Sequence, residues 1–167
     1  MMKVLVCGLP GSGKTWLAER LTKHINNCAW YNADVLRKSA NDWDFSIEGR
    51  IRQANRMKTF ADFERSNGRW VICDFVATTQ KVRDAFSPDF VIWLDTIEQG
   101  RVVSSKINEL NKIKNLPFDV NLLINSKEFK DTNKMFESPK KIDKHITRFL
   151  SDDEIKKLAE EIQLKNV

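Results

Sequence analysis

Cysteine, glycine, proline, histidine and tyrosine are all scarce in this chain, and the shortages are informative. Three cysteines, Cys7, Cys28 and Cys73, are odd in number and far apart, which suits neither a disulfide framework nor a paired zinc knuckle. They read as reduced, mostly buried thiols. Six glycines and four prolines in 167 residues exclude the fibrous and low-complexity classes. Two histidines, His24 and His145, have no partner at metal-ligand spacing and read as structural or surface groups. Apolar runs such as Phe90 to Leu94 are far shorter than the roughly 20 residues of a membrane-spanning helix, so no membrane partner is expected. No leader pattern precedes the first motif, which makes the cytoplasm the expected location.

Hydrophobic residues at 41% and charged residues at 31% describe a globular chain. Its length suits a single domain, 1–167, able to bury roughly 70% of the unfolded surface. Twenty-eight Lys and Arg against 23 Asp and Glu give a net charge of +5, which favours anionic ligands. The charge is spread without blocks, and no nucleic-acid reading motif appears, so nucleic acid is not indicated. A small phosphate-bearing molecule needs fewer cations and is the expected partner.

Periodicity organises the chain. Lys3 to Gly8 is an apolar run ending in glycine, and Lys14 to His24 carries Leu17, Ala18 and Leu21 at helical spacing, which reads as strand, loop, helix. A second apolar run ends at Asn32. A long helical pattern opens at Ser46 and closes at Asn67-Gly68. Arg69 to Val76 and Phe90 to Asp95 read as buried strands, Thr79 to Phe86 as a short helix, Ile142 to Phe149 as a last strand and Asp152 to Leu164 as a last helix. Such alternation implies an α/β fold: a doubly wound parallel sheet of about five strands with helices on both faces, ligands gathering beyond the strands' carboxyl ends. Glu98 to about Asn115 reads as a charged helix, and 98–136 as a whole as a lid.

The sharpest motif is Gly8, Leu9, Pro10, Gly11, Ser12, Gly13, Lys14 and Thr15. It matches the phosphate-loop pattern in full, directly after an expected strand and before an expected helix. Glycines allow the backbone to curl until successive N–H groups face phosphate oxygens, and the helix start adds its positive dipole end. Lys14 is placed to reach the outer phosphates of ATP, and the Thr15 hydroxyl to ligate Mg²⁺. The stretch reads as a P-loop that holds the phosphates of a nucleotide.

Asn32-Ala33-Asp34-Val35-Leu36-Arg37 follows the second strand and places a carboxylate across the cleft. Asp34 could orient Mg²⁺ or accept the proton of an attacking hydroxyl, and Arg37, one turn on, could fork onto an acceptor anion. The plainer alternative is that Asp34 caps the following helix and Arg37 is solvated. Asp74, at the end of an apolar strand, is either metal-linked like a Walker-B acid or bonded to a neighbouring loop.

The phosphate loop, the Asn-Ala-Asp-Val-Leu-Arg segment, Phe45-Ser46 followed by Arg50, and Phe136-Glu137-Ser138-Pro139 together resemble the adenylylsulfate kinases, in the same order along most of the chain. That family uses MgATP to phosphorylate the 3′-hydroxyl of adenosine 5′-phosphosulfate, commonly as a homodimer. The resemblance implies that Asp34 is the catalytic carboxylate near the metal and that Arg37 and Arg50 hold the phosphosulfate. It further implies that Phe45 and Phe129 sandwich the substrate adenine, with Phe75 also at the substrate. Departures from the family pattern fall on Asn32, where an Asp is usual, on Gln53, Ala77 and Asn133, on Asp74, where a small residue is usual, and on the lid, 102–126.

Among weaker signals, Trp43 either packs or lines the pocket, and Lys106, Lys112 and Lys114 either form a solvated helix face or a cationic lid. The expected function is ATP-dependent phosphoryl transfer of the adenylylsulfate kinase kind, with Lys14 and Asp34 catalytic. The rivals are a kinase for a nucleoside, modified base or polynucleotide end, and a nucleotide-binding protein without transfer activity.

Overall fold

A computed structural model describes residues 2–97 and 132–165. The elements are β1 (Lys3–Gly8), α1 (Lys14–His24), β2 (Cys28–Asn32), α2 (Ala33–Ala40), α3 (Ile47–Ser66), β3 (Trp70–Asp74), α4 (Gln80–Phe86), β4 (Phe90–Leu94), α5 (Thr132–Met135), β5 (Lys144–Ile146) and α6 (Asp152–Lys165). The strands form one sheet in the order β2-β3-β1-β4-β5, and every neighbouring pair is parallel. All five carboxyl ends therefore meet at one edge, with the phosphate loop at the end of the central strand. The expected α/β class, doubly wound and of the P-loop kinase type, is the one observed.

Alternation along the strands sends side chains into two separate cores. Val4, Val6, Ile72, Phe90 and Ile92 pack on one face against Leu17 and Leu21 of α1 and Ile155, Leu158 and Ile162 of α6. Leu5, Cys7, Val71, Cys73 and Val91 pack on the other against Ala54, Met57 and Ala61 of α3 and Val82 and Phe86 of α4. The free thiols of Cys7 and Cys73 are buried and that of Cys28 partly so. Burial pushes Cys7 up to about 11 and Cys28 up to about 12, so none is poised as a nucleophile. No helix among the described residues is long and apolar enough to cross a membrane.

A charge enters the second core where β1 begins. Lys3 is 1% exposed. Its Nζ pairs with Asp62 at 2.8 Å, donates to the Phe86 carbonyl at 3.0 Å and lies 5.2 Å from the Phe86 ring centroid. A buried ammonium is tolerated only with such partners.

Two strands are shorter than the apolar runs suggest. β3 stops at Asp74, whose last ladder partner is Val6, and Ala77 then takes a left-handed turn with φ of 49°. β5 covers three residues instead of the expected 142–149, because the chain leaves the sheet after Ile146. Phe149 then lies edge-on to Trp16 with the centroids 5.2 Å apart. Most of the lid expected over 98–136, with Phe129, Lys106, Lys112 and Lys114, lies outside the described residues.

Phe86 is fully buried, edge-on to Phe75 at 5.5 Å and beneath the Lys3 ammonium. Phe86→Ala is expected to destabilise the fold by about 3–5 kcal/mol, read from urea unfolding; a loss below about 1 kcal/mol would show that the second core does not depend on this ring.

Candidate functional site

The loop between β1 and α1 is shaped by close approach. A Cβ at Gly8 would stand 2.5 Å from the Leu94 carbonyl oxygen, so only glycine lets β4 pack against the loop entrance. Gly11 and Gly13 take positive φ values of 86° and 101°, left-handed conformations that side chains disfavour. The Ser12 N–H donates to Leu9 O at 3.1 Å, and the Thr96 hydroxyl, just beyond β4, donates to Ser12 O at 2.8 Å. Among the described residues no side chain caps α1. A helix start without a side-chain cap is the arrangement that an anion site requires. Lys14 Nζ donates to Leu9 O at 2.9 Å, which places the ammonium across the loop's own mouth.

A polar triad stands beside the loop. Asn32 and Asp74 are ladder partners at the carboxyl ends of β2 and β3. Asn32 Nδ2 donates to Asp74 Oδ1 at 2.9 Å and to Thr15 Oγ1 at 3.1 Å, while its Oδ1 accepts from the Val35 N–H and caps α2. Asp74 is 1% exposed, and burial pushes its carboxyl above the usual range, against the pull of the Thr15 hydroxyl and the Lys14 ammonium. Among the described residues its Oδ2 and the Ser12 Oγ are buried with no hydrogen-bond partner. The Asp74 hydrogen bond runs to Asn32 at the end of the neighbouring strand rather than to a loop.

Asp34, by contrast, is exposed in the first turn of α2. The helix cap that it could have supplied comes from Asn32. Arg37 is not solvated but 4% exposed, and its Nη1 donates to the carbonyls of Asp42 at 2.9 Å and Asp44 at 3.2 Å. Its guanidinium lies 4.3 Å from the Phe45 ring centroid, and that of Arg50 lies 5.2 Å from the same ring. Arg50, also buried, donates to Phe45 O at 2.9 Å and to Thr132 Oγ1 at 2.8 Å. Burial, with Arg50 adding to it against the pull of Asp42, lowers Arg37 to about 10. Three of the expected substrate residues, Arg37, Phe45 and Arg50, are therefore brought together. Phe75 is instead a core residue, 6% exposed. Trp43 has its indole nitrogen buried without a hydrogen-bond partner among the described residues.

The loop carrying Phe45 is held from α3. Asp42 accepts from Arg52 Nε at 2.8 Å and from Arg56 Nη2 at 2.8 Å. A Cβ on Gly49 would fall 2.2 Å from Asp44 O, so the glycine allows the loop to lie on the helix. The Phe136 to Pro139 segment docks on the start of α4: Glu137 N donates to Thr78 O at 2.7 Å, and the Gln80 N–H donates to Glu137 Oε2 at 3.1 Å. Next to it, unanticipated from sequence, His145 stacks on Trp93 at 4.4 Å and its Nε2 lies 2.9 Å from Asp95 Oδ2.

The comparisons with known proteins agree with this arrangement. The family described as chromatin associated protein KTI12 matches residues 1–85, a span that takes in the phosphate loop, the triad and the Phe45 cluster. The chain belongs to the KTI12 family. It is also 34% identical over 90 residues to a probable adenylyl-sulfate kinase of Aeropyrum pernix, an alignment covering 48% of this chain and 47% of that protein. The chain thus spans about half the length of the curated relative it matches. Among solved structures, the crystal structure of APE1195 superposes with a TM-score of 0.76 at 21% identity, covering 98% of this chain and 95% of that one. The Mycobacterium tuberculosis APS kinase CysC, in complex with AMPPNP and APS, superposes with a TM-score of 0.66 at 22% identity over 99% of this chain and 97% of that one. At these identities the structures show a shared P-loop kinase fold, and the resemblance to adenylylsulfate kinases drawn from the motifs holds.

Asp42 yields a pH-dependent expectation. Hydrogen bonds from Arg52, opposed by partial burial and helped by Arg56, hold its carboxyl well below the usual range. A folded value below the unfolded one, near 3.9, stabilises the protein at higher pH, and the benefit is lost as pH falls through that value. Urea midpoints of the unmodified chain should decline between about pH 5 and pH 2 more steeply than those of Asp42→Asn, whose neutral-pH midpoint should be lower. Parallel curves would show that the Asp42 pairing adds nothing to stability.

Proposed function

We propose that this chain is an ATP-dependent phosphotransferase that delivers the γ-phosphoryl group to the 3′-hydroxyl of adenosine 5′-phosphosulfate. The carrying observation is the uncapped α1 N-terminus wrapped by Gly8 to Thr15, with Lys14 over the loop and the Thr15–Asn32–Asp74 triad beside it. Main-chain N–H groups of Gly11, Gly13, Lys14 and Thr15 would hold the triphosphate, and Lys14 would neutralise charge that grows on the transferring group. The orphaned oxygen of Asp74 and the Thr15 hydroxyl are hard oxygen donors and fit Mg²⁺. Thr15 and Asp74 would hold the ion, which when bound would supply charge neutralisation at the outer phosphates. We further assign Asp34, the acid expected near the metal, the role of accepting the acceptor hydroxyl's proton. Arg37 and Arg50 carry positive charge over the Phe45 ring, a grouping suited to a flat base joined to a dense anion.

A second reading keeps the chemistry and changes the acceptor to another hydroxyl, such as that of a nucleoside, a modified base or a polynucleotide end. Two observations favour it. The Arg37 guanidinium is already engaged by the Asp42 and Asp44 carbonyls, and the family match is to KTI12.

Incubation with γ-labelled ATP and each acceptor in turn decides between them. Label on adenosine phosphosulfate supports the first reading. Label on another acceptor with none on adenosine phosphosulfate supports the second, and MgATP binding without transfer to any acceptor overturns both. Lys14→Ala should lower turnover at least about a hundredfold while the circular dichroism and melting temperature stay unchanged; near-normal turnover would remove the loop from the mechanism.

A further inference from the structure

Asn32, at the end of β2, is bound at both ends of its side chain. Oδ1 accepts from the Val35 N–H at 3.1 Å, and Nδ2 donates to Asp74 Oδ1 at 2.9 Å and Thr15 Oγ1 at 3.1 Å. The cap decides which way the amide faces, because a backbone N–H bonds only the oxygen. The nitrogen must then point at the carboxylate and the hydroxyl. The amide satisfies all three partners at once, accepting one bond and donating two. Aspartate caps a helix equally well but would aim its second oxygen at the Asp74 carboxylate, setting two anions against each other in a buried space. Serine would cap without reaching across. Asp74 itself is 1% exposed, and its other oxygen, Oδ2, has no hydrogen-bond partner among the described residues.

We propose that Asn32 is a positioning residue: its amide clamps the Asp74 carboxylate and the Thr15 hydroxyl together, leaving Asp74 Oδ2 turned to a divalent cation that arrives with the nucleotide. The inference rests on the phosphotransferase reading and deepens it. Asn32 touches neither nucleotide nor acceptor in this scheme. It acts by fixing the oxygen donors of Asp74 and Thr15 from the end of β2, which strand pairing sets beside Asp74 although the two residues are 42 apart in sequence. Groups that orient a metal's ligands in this way typically change affinity by about 10- to 100-fold when lost.

The test uses the full chain and four variants: Asn32→Ser, which keeps a cap oxygen but loses the donor, Asn32→Asp, Asp74→Asn, and the reciprocal exchange Asn32→Asp with Asp74→Asn. Binding of Mn²⁺ is read by electron paramagnetic resonance with and without a non-hydrolysable ATP analogue, and binding of the analogue alone by calorimetry, with circular dichroism verifying each fold. Asn32→Ser and Asn32→Asp should weaken Mn²⁺ binding in the presence of analogue by about tenfold or more, with metal-free analogue binding unchanged. The reciprocal exchange restores one carboxylate facing one amide and should recover most of that loss. Unaltered Mn²⁺ affinity in Asn32→Ser, or an exchange no better than Asn32→Asp alone, overturns the proposal. If the unmodified chain binds the analogue neither with nor without metal, the phosphotransferase reading falls and takes this inference with it. Normal binding by the unmodified chain with no effect at Asn32 removes the inference alone.

Discussion

The missing side chain at Gly8 is the constraint on which the architecture turns. β1 is the central strand, and its last residue lies against Leu94 so closely that a single added carbon would collide with a backbone oxygen. Backbone atoms cannot give way as the end of a flexible side chain can, so the contact admits only glycine. Because β4 packs flush there, the residues just beyond it reach the loop, and the Thr96 hydroxyl holds Ser12 from outside. Because β3 lies on the other side of β1, Asp74 arrives beside Thr15. The loop is thus flanked by two strands at once, while Lys14 and Thr96 bond its carbonyls from either end.

The periodicity of the chain reported the elements faithfully where burial was two-sided. Apolar runs such as Val71 to Cys73 have core on both faces, and runs of that kind read as strands. Boundaries were less legible, because a strand ends where its neighbour stops offering hydrogen bonds, which is not written in its own residues. Ile142 to Phe149 is apolar enough to continue as a strand, yet Phe149 turns away to meet Trp16. The phosphate loop was legible in full, since its chemistry is local and its residues contiguous.

What sequence could not show is pairing between distant residues. Asn32 looks like a substitution at one end of a motif until β2 and β3 are laid in register, whereupon it becomes the group that joins Thr15 to Asp74. Arg37 and Arg50 were each recognisable as cations near the cleft, but not as two guanidinium groups on one ring. Like charges placed so near each other require compensation. Here the carbonyls of Asp42, Asp44 and Phe45 supply it, held in place by a loop that Arg52 and Arg56 grip through Asp42. The family match and the motif resemblance meet on this region, since both cover the loop and the first half of the sheet.

The bare start of α1 has a thermodynamic meaning of its own. A helix whose leading amides find no internal acceptor gives up a fraction of its intrinsic stability, and any anion seated there returns it. Occupancy and conformational integrity would then be linked by mass action: phosphates held there would firm the first turn. A helix sealed by its own serine or aspartate would be sturdier in isolation and indifferent to what passes by.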